Sequence, residues 1–483
     1  MKKTVLKILC LALALVMVFG VTGCNKNQTA STDSFVEDET DFDIGGGDSS
    51  ESGGEVSIKD NVSNASSGTT VKAAVPNADS LSFNQLISQM PSSLRGTTVY
   101  MYNWNPTKDY GADSVVSKFE KLTGIKVKWE AGGYDDYDQK IAAMINAGNA
   151  PDIIRFRDNC IHRMYLCQDM KAATGFDFAG SIWDQKVNTQ YEIGGKLYAV
   201  NRKDTLFNQP FVFIYRKSLI DKYQFDDPYV LWKTGQWTWD AFINILKSTK
   251  DSTFTGDPWR TSIGLDYLYF TGQELIKING SEYVNNLMSK EVGEAAKKMC
   301  SYRSSGYTTS AMRQPKDFEA GSVLFQTFNI ICARRTNISA KIVEAKADDD
   351  LYCVPIPTIP GSENIQLFSE LEAYGIPKGA KNPAAVYYFL RYFLDADNYD
   401  ANTFFCNKQA YEVYKACMDK QTYFTPGDTA LLDVVSTGGN LAGISDFIRE
   451  GNDYSQFDSE RQKVNPTYDL AVKKANEVLA KMK

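Results

Sequence analysis

The chain has 483 residues and carries 59 acidic against 52 basic side chains, a formal net charge of −7 at pH 7. That balance argues against nucleic acid as a partner, because phosphate backbones require a basic surface. The single histidine, His162, argues against a Ser-His-Asp hydrolase or a zinc hydrolase, which need at least one well-placed imidazole. No nucleotide-binding glycine motif or calcium loop is present, so the sequence predicts no catalytic residue, metal or cofactor.

The N-terminus has the layout of an export signal. Three lysines precede an apolar run, Ile8–Val21, that ends in Thr22 and Gly23 directly before Cys24. This order is typical of a secretory signal peptide, and the cysteine after small residues resembles the lipobox of bacterial lipoproteins, in which that cysteine is lipidated. The alternatives are an ordinary signal with a chance cysteine, or a membrane anchor, although spanning needs about 20 apolar residues. We therefore expect a signal peptide over 1–23 and a lipid anchor on Cys24 at the extracellular face of the cell membrane.

The segment that follows, 24–78, is rich in Ser, Gly, Asn and acidic residues. Its apolar surface is too small to offset the entropy of ordering, so the composition predicts a disordered tether. About fifty such residues have a root-mean-square reach of roughly 40 Å, which would hold a folded body clear of the membrane. From position 79 onward the chain is long enough for two domains of ordinary size.

Strand and helix patterns alternate after the tether. We predict a strand over Thr97–Asn103, a helix over Ala112–Leu122, a strand over Ile125–Glu130, a helix over Tyr137–Asn146 and a strand over Pro151–Phe156. This order with short connections is the βαβ pattern of a parallel sheet covered by helices. Further along, Thr238 is a good N-cap for a helix over Trp239–Leu246, and Phe325–Asn329 has the pattern of a strand. For Trp237 and Trp239 the cap position favours packing over ligand stacking.

Several motifs, in the same order along the chain, resemble the extracellular solute-binding proteins of bacterial ABC importers, specifically the group typified by maltose-binding protein. The resemblance runs from about Thr97 to near the C-terminus. The segments that carry it are Phe119–Val127, Ile145–Ile153, Gly195–Val200, Phe213–Lys217, Gly235–Phe242 and Tyr374–Pro383. It implies an α/β fold of the two-lobe periplasmic-binding-protein type (type II), each lobe a mainly parallel sheet covered by helices.

The resemblance also implies that the chain crosses between the lobes through hinge segments. We expect crossings near Asn208–Phe213, Pro355–Pro360 and Asp395–Asn398. Lobe 1 would then comprise 79–209 plus 359–396, and lobe 2 would comprise 210–358 plus 397–483. The function implied is that of a monomeric, membrane-anchored binding subunit, which captures a carbohydrate, expected to be an oligosaccharide, by hinge closure and delivers it to the permease of an ABC importer.

In parallel sheets with helices on both faces, ligands bind beyond the carboxyl ends of the strands. A sugar presents both C–H faces and hydroxyls, so its site needs aromatic rings together with amides and carboxylates. The candidate ligand residues at the three strand ends are Asn103, Trp104, Asn105, Tyr134, Asp135, Asp158 and Asn159. Trp104, between two asparagines, is the leading candidate for a stacking platform.

Lobe 2 supplies four further candidates, Tyr267, Tyr269, Phe328 and Asn329. Glu370 and Glu372 are also candidates, and on one strand they would share a face because they are two residues apart. Such paired carboxylates can hydrolyse glycosidic bonds, so a carbohydrate-active surface enzyme is one alternative to a binding protein. A sensing or adhesion lipoprotein with the same fold is another.

Cysteine usage indicates no disulfide framework. Seven cysteines follow Cys24, and Cys300, Cys332 and Cys353 lie in apolar surroundings typical of small buried side chains. The sequence leaves open a single disulfide, for example between Cys160 and Cys167 or between Cys406 and Cys417.

The anchor hypothesis predicts the behaviour of a Cys24→Ser variant. Without a thiol at the cleavage site no acyl chain can be attached, so the protein should be unlipidated and released into the medium. Fractionation of cells expressing wild type and variant measures this. Full membrane retention of Cys24→Ser would contradict the anchor.

Overall fold

The computed structural model describes residues 75–133, 136–158, 160–250, 265–279, 282–305, 324–330, 350–359, 369–370, 372–420, 431 and 454–483. The predicted signal peptide, Cys24 and the tether up to position 74 lie outside these ranges. Within them, no helix is both long enough and apolar enough to cross a membrane.

The described strands are β1 Thr98–Asn103, β2 Lys126–Ala131, β3 Ile153–Phe156, β4 Glu192–Ile193, β5 Lys196–Leu197, β6 Gln209–Arg216, β7 Ile276–Asn279, β8 Glu282–Asn285, β9 Phe325–Asn329, β10 Leu351–Pro355, β11 Ser369–Glu370 and β12 Ala373–Gly375. The described helices are α1 Phe83–Ser88, α2 Asp113–Thr123, α3 Tyr137–Asn146, α4 Ile161–Tyr165, α5 Met170–Thr174, α6 Gln185–Gln190, α7 Lys217–Tyr223, α8 Pro228–Lys233, α9 Trp239–Lys250, α10 Leu265–Phe270, α11 Lys290–Ser304, α12 Pro383–Phe393, α13 Ala401–Phe404, α14 Lys408–Lys420 and α15 Phe457–Met482.

The first sheet has the strand order β12-β3-β1-β2, and β1 pairs in parallel with both β2 and β3. Helices α2 and α3 connect these strands, which confirms the predicted βαβ pattern. Helix α2 buries Val115 and Phe119 and ends where Gly124 adopts a φ of 73°, a left-handed conformation that favours glycine. The parallel pairing places the carboxyl ends of β1, β2 and β3 along one edge of the sheet.

The second sheet is built around β6, which pairs with β9, β10 and β11. Alternate residues of β6 enter two hydrophobic clusters, Phe211, Phe213 and Tyr215 on one face and Val212 and Ile214 on the other. All three described pairings are antiparallel, in contrast to the mainly parallel sheet expected for lobe 2. Strands β9, β10 and β11 each end beside the first half of β6, so each runs in the direction opposite to β6.

The chain passes from the second sheet to the first around Glu372. Strand β11 pairs with β6 through Glu370 opposite Gln209, whereas β12 pairs with β3 through Ala373 opposite Phe156. This change of sheet comes later than the crossing expected near Pro355–Pro360. The physical reason is that β10, which ends at Pro355, and β11 both pair with β6 of the second sheet.

Three consecutive residues at the start of α9, Trp237, Thr238 and Trp239, fix its position through hydrogen bonds. Trp237 Nε1 donates to the Pro355 carbonyl at 2.7 Å, and Trp239 N donates to the Thr358 carbonyl at 2.9 Å. Thr238 Oγ1 accepts from Ala241 N at 3.2 Å, as an N-cap does. Trp237 and Trp239 are both buried, which confirms packing over ligand stacking.

The described cysteines are buried, and none of them takes part in a disulfide among the described residues. They are Cys160, Cys167, Cys300, Cys353, Cys406 and Cys417, so neither of the two pairs left open by the sequence forms a disulfide. Cys300 and Cys353 are the small buried side chains that were expected, while Cys332 lies outside the described residues.

The N-terminal end of the described chain is fastened by Asp79. Its Oδ1 accepts from Trp183 Nε1 at 2.7 Å and from the Tyr387 hydroxyl at 2.5 Å, and its Oδ2 accepts from Gly180 N at 2.9 Å. Arg391 Nη1 donates to the carbonyl of Ala78 at 2.8 Å. The packed chain therefore begins slightly before position 79, and Ala78 and Val75 are already buried.

Replacing Asp79 with alanine should destabilise the fold by about 3 kcal/mol, because it leaves the buried donors of Trp183 and Tyr387 without their acceptor. Urea unfolding followed by circular dichroism measures the loss. Asp177→Ala is the matched control, since Asp177 is exposed and bonds locally to Ala179 N. Equal stabilities of the two variants would contradict a fastening role for Asp79.

Candidate functional site

The carboxyl edge of the first sheet brings together aromatic and polar side chains. Trp104 follows β1 directly and is partly buried there. Its ring meets the Tyr137 ring edge-on, with centroids 4.8 Å apart, and the guanidinium carbon of Arg155 lies 4.5 Å from its ring centroid. The leading candidate for a stacking residue is thus held from two directions while part of it stays exposed.

Arg155 belongs to a buried network beneath this ring. Its Nε and Nη2 donate to the two carboxylate oxygens of Glu372 at 2.7 and 2.6 Å, and Nη1 donates to Asn105 Oδ1 at 2.9 Å. Both members of the ion pair are almost completely buried, with 2% and 0% of their side chains exposed. Glu372 also accepts from the Tyr374 hydroxyl at 2.6 Å and from Gln209 Nε2 at 3.3 Å.

The protonation states in this network follow from burial and from the ion pair. Burial alone would lower the pKa of Arg155, but the adjacent carboxylate of Glu372 outweighs it and the pKa is raised above its ordinary value. Burial raises the pKa of Tyr374 well above its ordinary value, and the charge of Glu372 adds to the effect. Arg155 therefore stays charged and Tyr374 stays protonated as a hydrogen-bond donor.

The sequence analysis missed Arg155, Gln209 and Tyr374. The sequence did contain a signal for Arg155, because this arginine interrupts the apolar run Ile153–Phe156. In the structure that run is β3, and all four of its residues are buried. A charge in such a strand must be paired. The partner could not be identified from sequence, since Glu372 lies 217 residues further along the chain.

The two asparagines beside Trp104 have different environments. Asn103 is fully buried, donates to the Tyr110 hydroxyl at 3.1 Å and accepts from Asn105 N at 3.1 Å. These contacts favour a role in shaping the turn over direct contact with a ligand. Asn105 is partly exposed and also donates to Asp109 Oδ2 at 3.1 Å, so it is the asparagine better placed to reach a ligand.

The carboxylate of Asp158, beyond the end of β3, is occupied by contacts with other residues of the protein. Its Oδ1 accepts from Cys160 N at 2.9 Å, and its Oδ2 lies 3.4 Å from Arg163 Nη1. Arg163 also donates from Nε to Asp138 at 2.6 Å. Burial alone would lower the pKa of Arg163, but the charges of Asp138 and Asp158 raise it well above its ordinary value, so this cluster is charge-compensated.

The remaining candidates are less fully described. Tyr134, Asp135 and Asn159 lie outside the described residues. Tyr267 and Tyr269 lie on α10, where Tyr269 is buried. Phe328 and Asn329 lie on β9, opposite Val212 and Phe211 of β6, and only their backbone is described.

Glu370 and Glu372 do not share a strand, contrary to the expectation. Strand β11 ends at Glu370, and Glu372 lies between β11 and β12. Because Glu372 is fully buried and ion-paired with Arg155, it lacks the solvent access and the free carboxylate that glycoside hydrolysis requires.

His162 lies on α4, and burial lowers its pKa to about 4, with the positive charge of Lys474 acting in the same direction and Asp138 opposing it. The imidazole is therefore neutral at neutral pH. A neutral, partly buried imidazole on a helix favours a structural role for the single histidine.

A family model described as "Bacterial extracellular solute-binding protein" matches residues 114–404, more than half of the chain. The chain belongs to this family. A curated relative, the diacetylchitobiose binding protein DasA of Streptomyces coelicolor, is 26% identical over 211 residues, which cover 41% of this chain. The match spans 45% of the length of that relative.

Solved structures show the same two-lobe fold as this solute-binding protein. The GacH receptor of Streptomyces glaucescens, solved unliganded and with acarbose, aligns with a TM-score of 0.56 at 15% identity and covers 78% of this chain and 98% of its own. The maltose-maltodextrin binding protein of Alicyclobacillus acidocaldarius aligns with a TM-score of 0.55 at 14% identity. This alignment covers 77% of this chain and 100% of that protein's chain. The fold is therefore the α/β type II architecture that the motifs implied.

The buried ion pair predicts strong coupling in a double-mutant cycle. Arg155→Met and Glu372→Leu should each destabilise the protein by about 3–5 kcal/mol, because each leaves a buried charge unpaired. The double variant should cost at least about 2 kcal/mol less than the sum of the single variants. Urea unfolding measures all four proteins.

An exposed ion pair provides the control for this cycle. Lys140 and Asp136 lie 2.8 Å apart with 47% and 44% of their side chains exposed, so Lys140→Met should leave the free energy of unfolding almost unchanged. Additive losses in the Arg155 and Glu372 cycle would contradict the coupling.

Proposed function

We propose that this protein is the extracellular, lipid-anchored binding subunit of an ABC importer for carbohydrate. It would capture a sugar, expected to be an oligosaccharide, between its two lobes and deliver it to a membrane permease. Family membership supports a solute-binding role. The names of the similar proteins, which refer to diacetylchitobiose, acarbose and maltodextrin, support a carbohydrate as the solute.

The single observation that carries the choice of ligand is the environment of Trp104. Trp104 is partly exposed at the carboxyl edge of a parallel sheet. Its ring is backed by Arg155 and Tyr137, and Asn105 is the next residue. A sugar ring can stack its C–H face on such an indole while its hydroxyls bond to the adjacent carboxamide.

The charges at this edge also favour an uncharged ligand. Arg155 is compensated by Glu372, and Arg163 is compensated by Asp138 and Asp158. Among these groups, a charged solute would have to compete with an existing buried partner, whereas a neutral sugar needs only hydrogen bonds and a ring face. This supports a carbohydrate over an amino acid or a charged peptide.

Capture would proceed by hinge closure. The segments that pass between the sheets, at Gln209 and around Glu372, lie next to the network beneath Trp104. Helix α12 packs against the helices and β1 of the first sheet and α14 packs against β10 and β6, so the chain between them is a further hinge candidate. Because the chain changes sheet around Glu372, we assign 79–209 plus 372–396 to lobe 1. The described residues of 210–370 and of 397–483 belong to lobe 2.

Attachment would come from Cys24 after removal of residues 1–23. The tether 24–78 would then allow the folded body to search the space above the membrane before docking on the permease. An acyl anchor would keep the binding protein near its transporter.

A calorimetric screen of the Cys24→Ser chain against mono- and oligosaccharides, with amino acids and peptides as controls, tests the ligand class. Trp104→Ala should weaken binding of the sugar found by roughly ten- to hundredfold, because a stacking ring contributes on the order of 1–3 kcal/mol. The melting temperature should change little.

Trp232→Ala serves as the control, since Trp232 is also partly buried but lies on α8. It should leave affinity unchanged. Two outcomes for Trp104→Ala would contradict the prediction. A melting temperature lower by roughly 10 °C or more would show that Trp104 is a core residue. Unchanged affinity for the sugar would show that Trp104 does not belong to the site.

Hinge closure predicts a smaller radius of gyration in the bound state. Saturation with the identified sugar should reduce the value from small-angle X-ray scattering by roughly 1 Å for a two-lobe body of this size. No change on saturation would contradict capture by closure.

A further inference from the structure

We propose that Arg155 is a positioning residue of the binding site, which sets the plane of the Trp104 indole and so the affinity for a stacked ligand. The inference rests on the proposed function for its effect on affinity, but not for its effect on the ring. Arg155 itself is buried and is not placed to contact a ligand.

The first step of the argument is the double attachment of Arg155 to the turn after β1. The guanidinium carbon lies 4.5 Å from the centroid of the Trp104 ring, within the range of a cation–π contact. The same guanidinium donates from Nη1 to Oδ1 of Asn105, the next residue. Arg155 therefore contacts both the Trp104 ring and the side chain of the residue that follows it in the turn.

The second step is that the guanidinium cannot turn away from this position. Three hydrogen bonds to Glu372, from Nε and Nη2, fix the guanidinium plane. Tyr374 and Gln209 hold the carboxylate in turn. Because Gln209 is the first residue of β6, the ring is tied through two side chains to the strand on which the second sheet is built.

The third step concerns Tyr137, the other neighbour of the ring. Its hydroxyl donates to the Tyr102 carbonyl at 2.7 Å and accepts from Arg155 N at 3.0 Å. The backbone of Arg155 thus fixes the aromatic ring that meets Trp104 edge-on, while its side chain supports the indole. Arg155 therefore contributes to both supports of the proposed stacking surface.

A role limited to neutralising Glu372 makes a different prediction. Lysine would satisfy the charge but not the planar, multiply bonded geometry, because an ammonium is a compact point charge. Arg155→Lys therefore separates positioning from charge compensation.

The test uses ¹⁹F NMR of the Cys24→Ser chain labelled with 5-fluorotryptophan. The chain has seven tryptophans, and the Trp104 signal is assigned from its loss in Trp104→Phe. Positioning predicts that Arg155→Lys shifts or broadens this signal without ligand and weakens binding of the identified sugar about tenfold. An unchanged Trp104 signal and unchanged affinity would overturn the proposal.

Arg202→Lys is the matched control. Arg202 is also buried and forms two bonds to one carboxylate, from Nε to Asp204 Oδ1 at 2.6 Å and from Nη2 to Oδ2 at 3.1 Å. It should leave the Trp104 signal in place. If Arg202→Lys moves that signal as far as Arg155→Lys does, the effect is general loosening and the proposal is overturned.

Glu372→Gln provides a second variant should Arg155→Lys not fold. It keeps an acceptor oxygen but removes the charge that fixes the guanidinium, so it should disturb the Trp104 signal in the same way, and a wild-type signal would overturn the proposal. If no carbohydrate binds the wild type, the proposed function fails, while the ¹⁹F comparison still decides whether Arg155 positions the ring.

Discussion

The buried contact between Arg155 and Glu372 joins parts of the chain that no local interaction could hold together. Removing two charges from water costs several kcal/mol per ion, and the attraction between them offsets this only when their remaining hydrogen-bonding groups are also satisfied. Here Asn105, Tyr374 and Gln209 supply those bonds. The contact therefore specifies one arrangement of three segments, since any other would leave a charge or a hydroxyl buried without a partner.

This requirement explains why the network lies where it does. Arg155 belongs to the first sheet, Gln209 begins the central strand of the second, and Glu372 lies on the chain as it returns. An apolar contact at this place would tolerate sliding, whereas directional bonds to a carboxylate do not. The segments proposed as hinges at Gln209 and Glu372 therefore meet at a junction of fixed geometry, and the ring of Trp104 rests on that junction.

Local pattern was sufficient for the first sheet and insufficient for the second. The helix over Tyr137–Asn146 has the predicted bounds and the strand predicted over Thr97–Asn103 differs by one residue, because apolar periodicity and capping act within a few residues. The antiparallel pairing around β6 depends on the direction in which distant segments return, and no local signal carries it. The site shows the same limit. The predicted strand ends indicated Trp104 and Asn105, but Arg155 beneath them pairs with Glu372, 217 residues further along the chain, and no local pattern predicts that contact.

The six described thiols bear on how this protein survives outside the cell. Burial raises the pKa of Cys160 to about 12, and burial also raises the pKa values of Cys167 and Cys353 above that of an ordinary thiol. At pH 7 a thiol with a pKa near 12 is ionised in only about one molecule in 10⁵, and the thiolate is the species that reacts with disulfides and oxidants. Packing thus acts as a kinetic shield for the folded chain. Reaction of these thiols with an oxidant is therefore expected mainly before the chain has folded, when they are not yet buried.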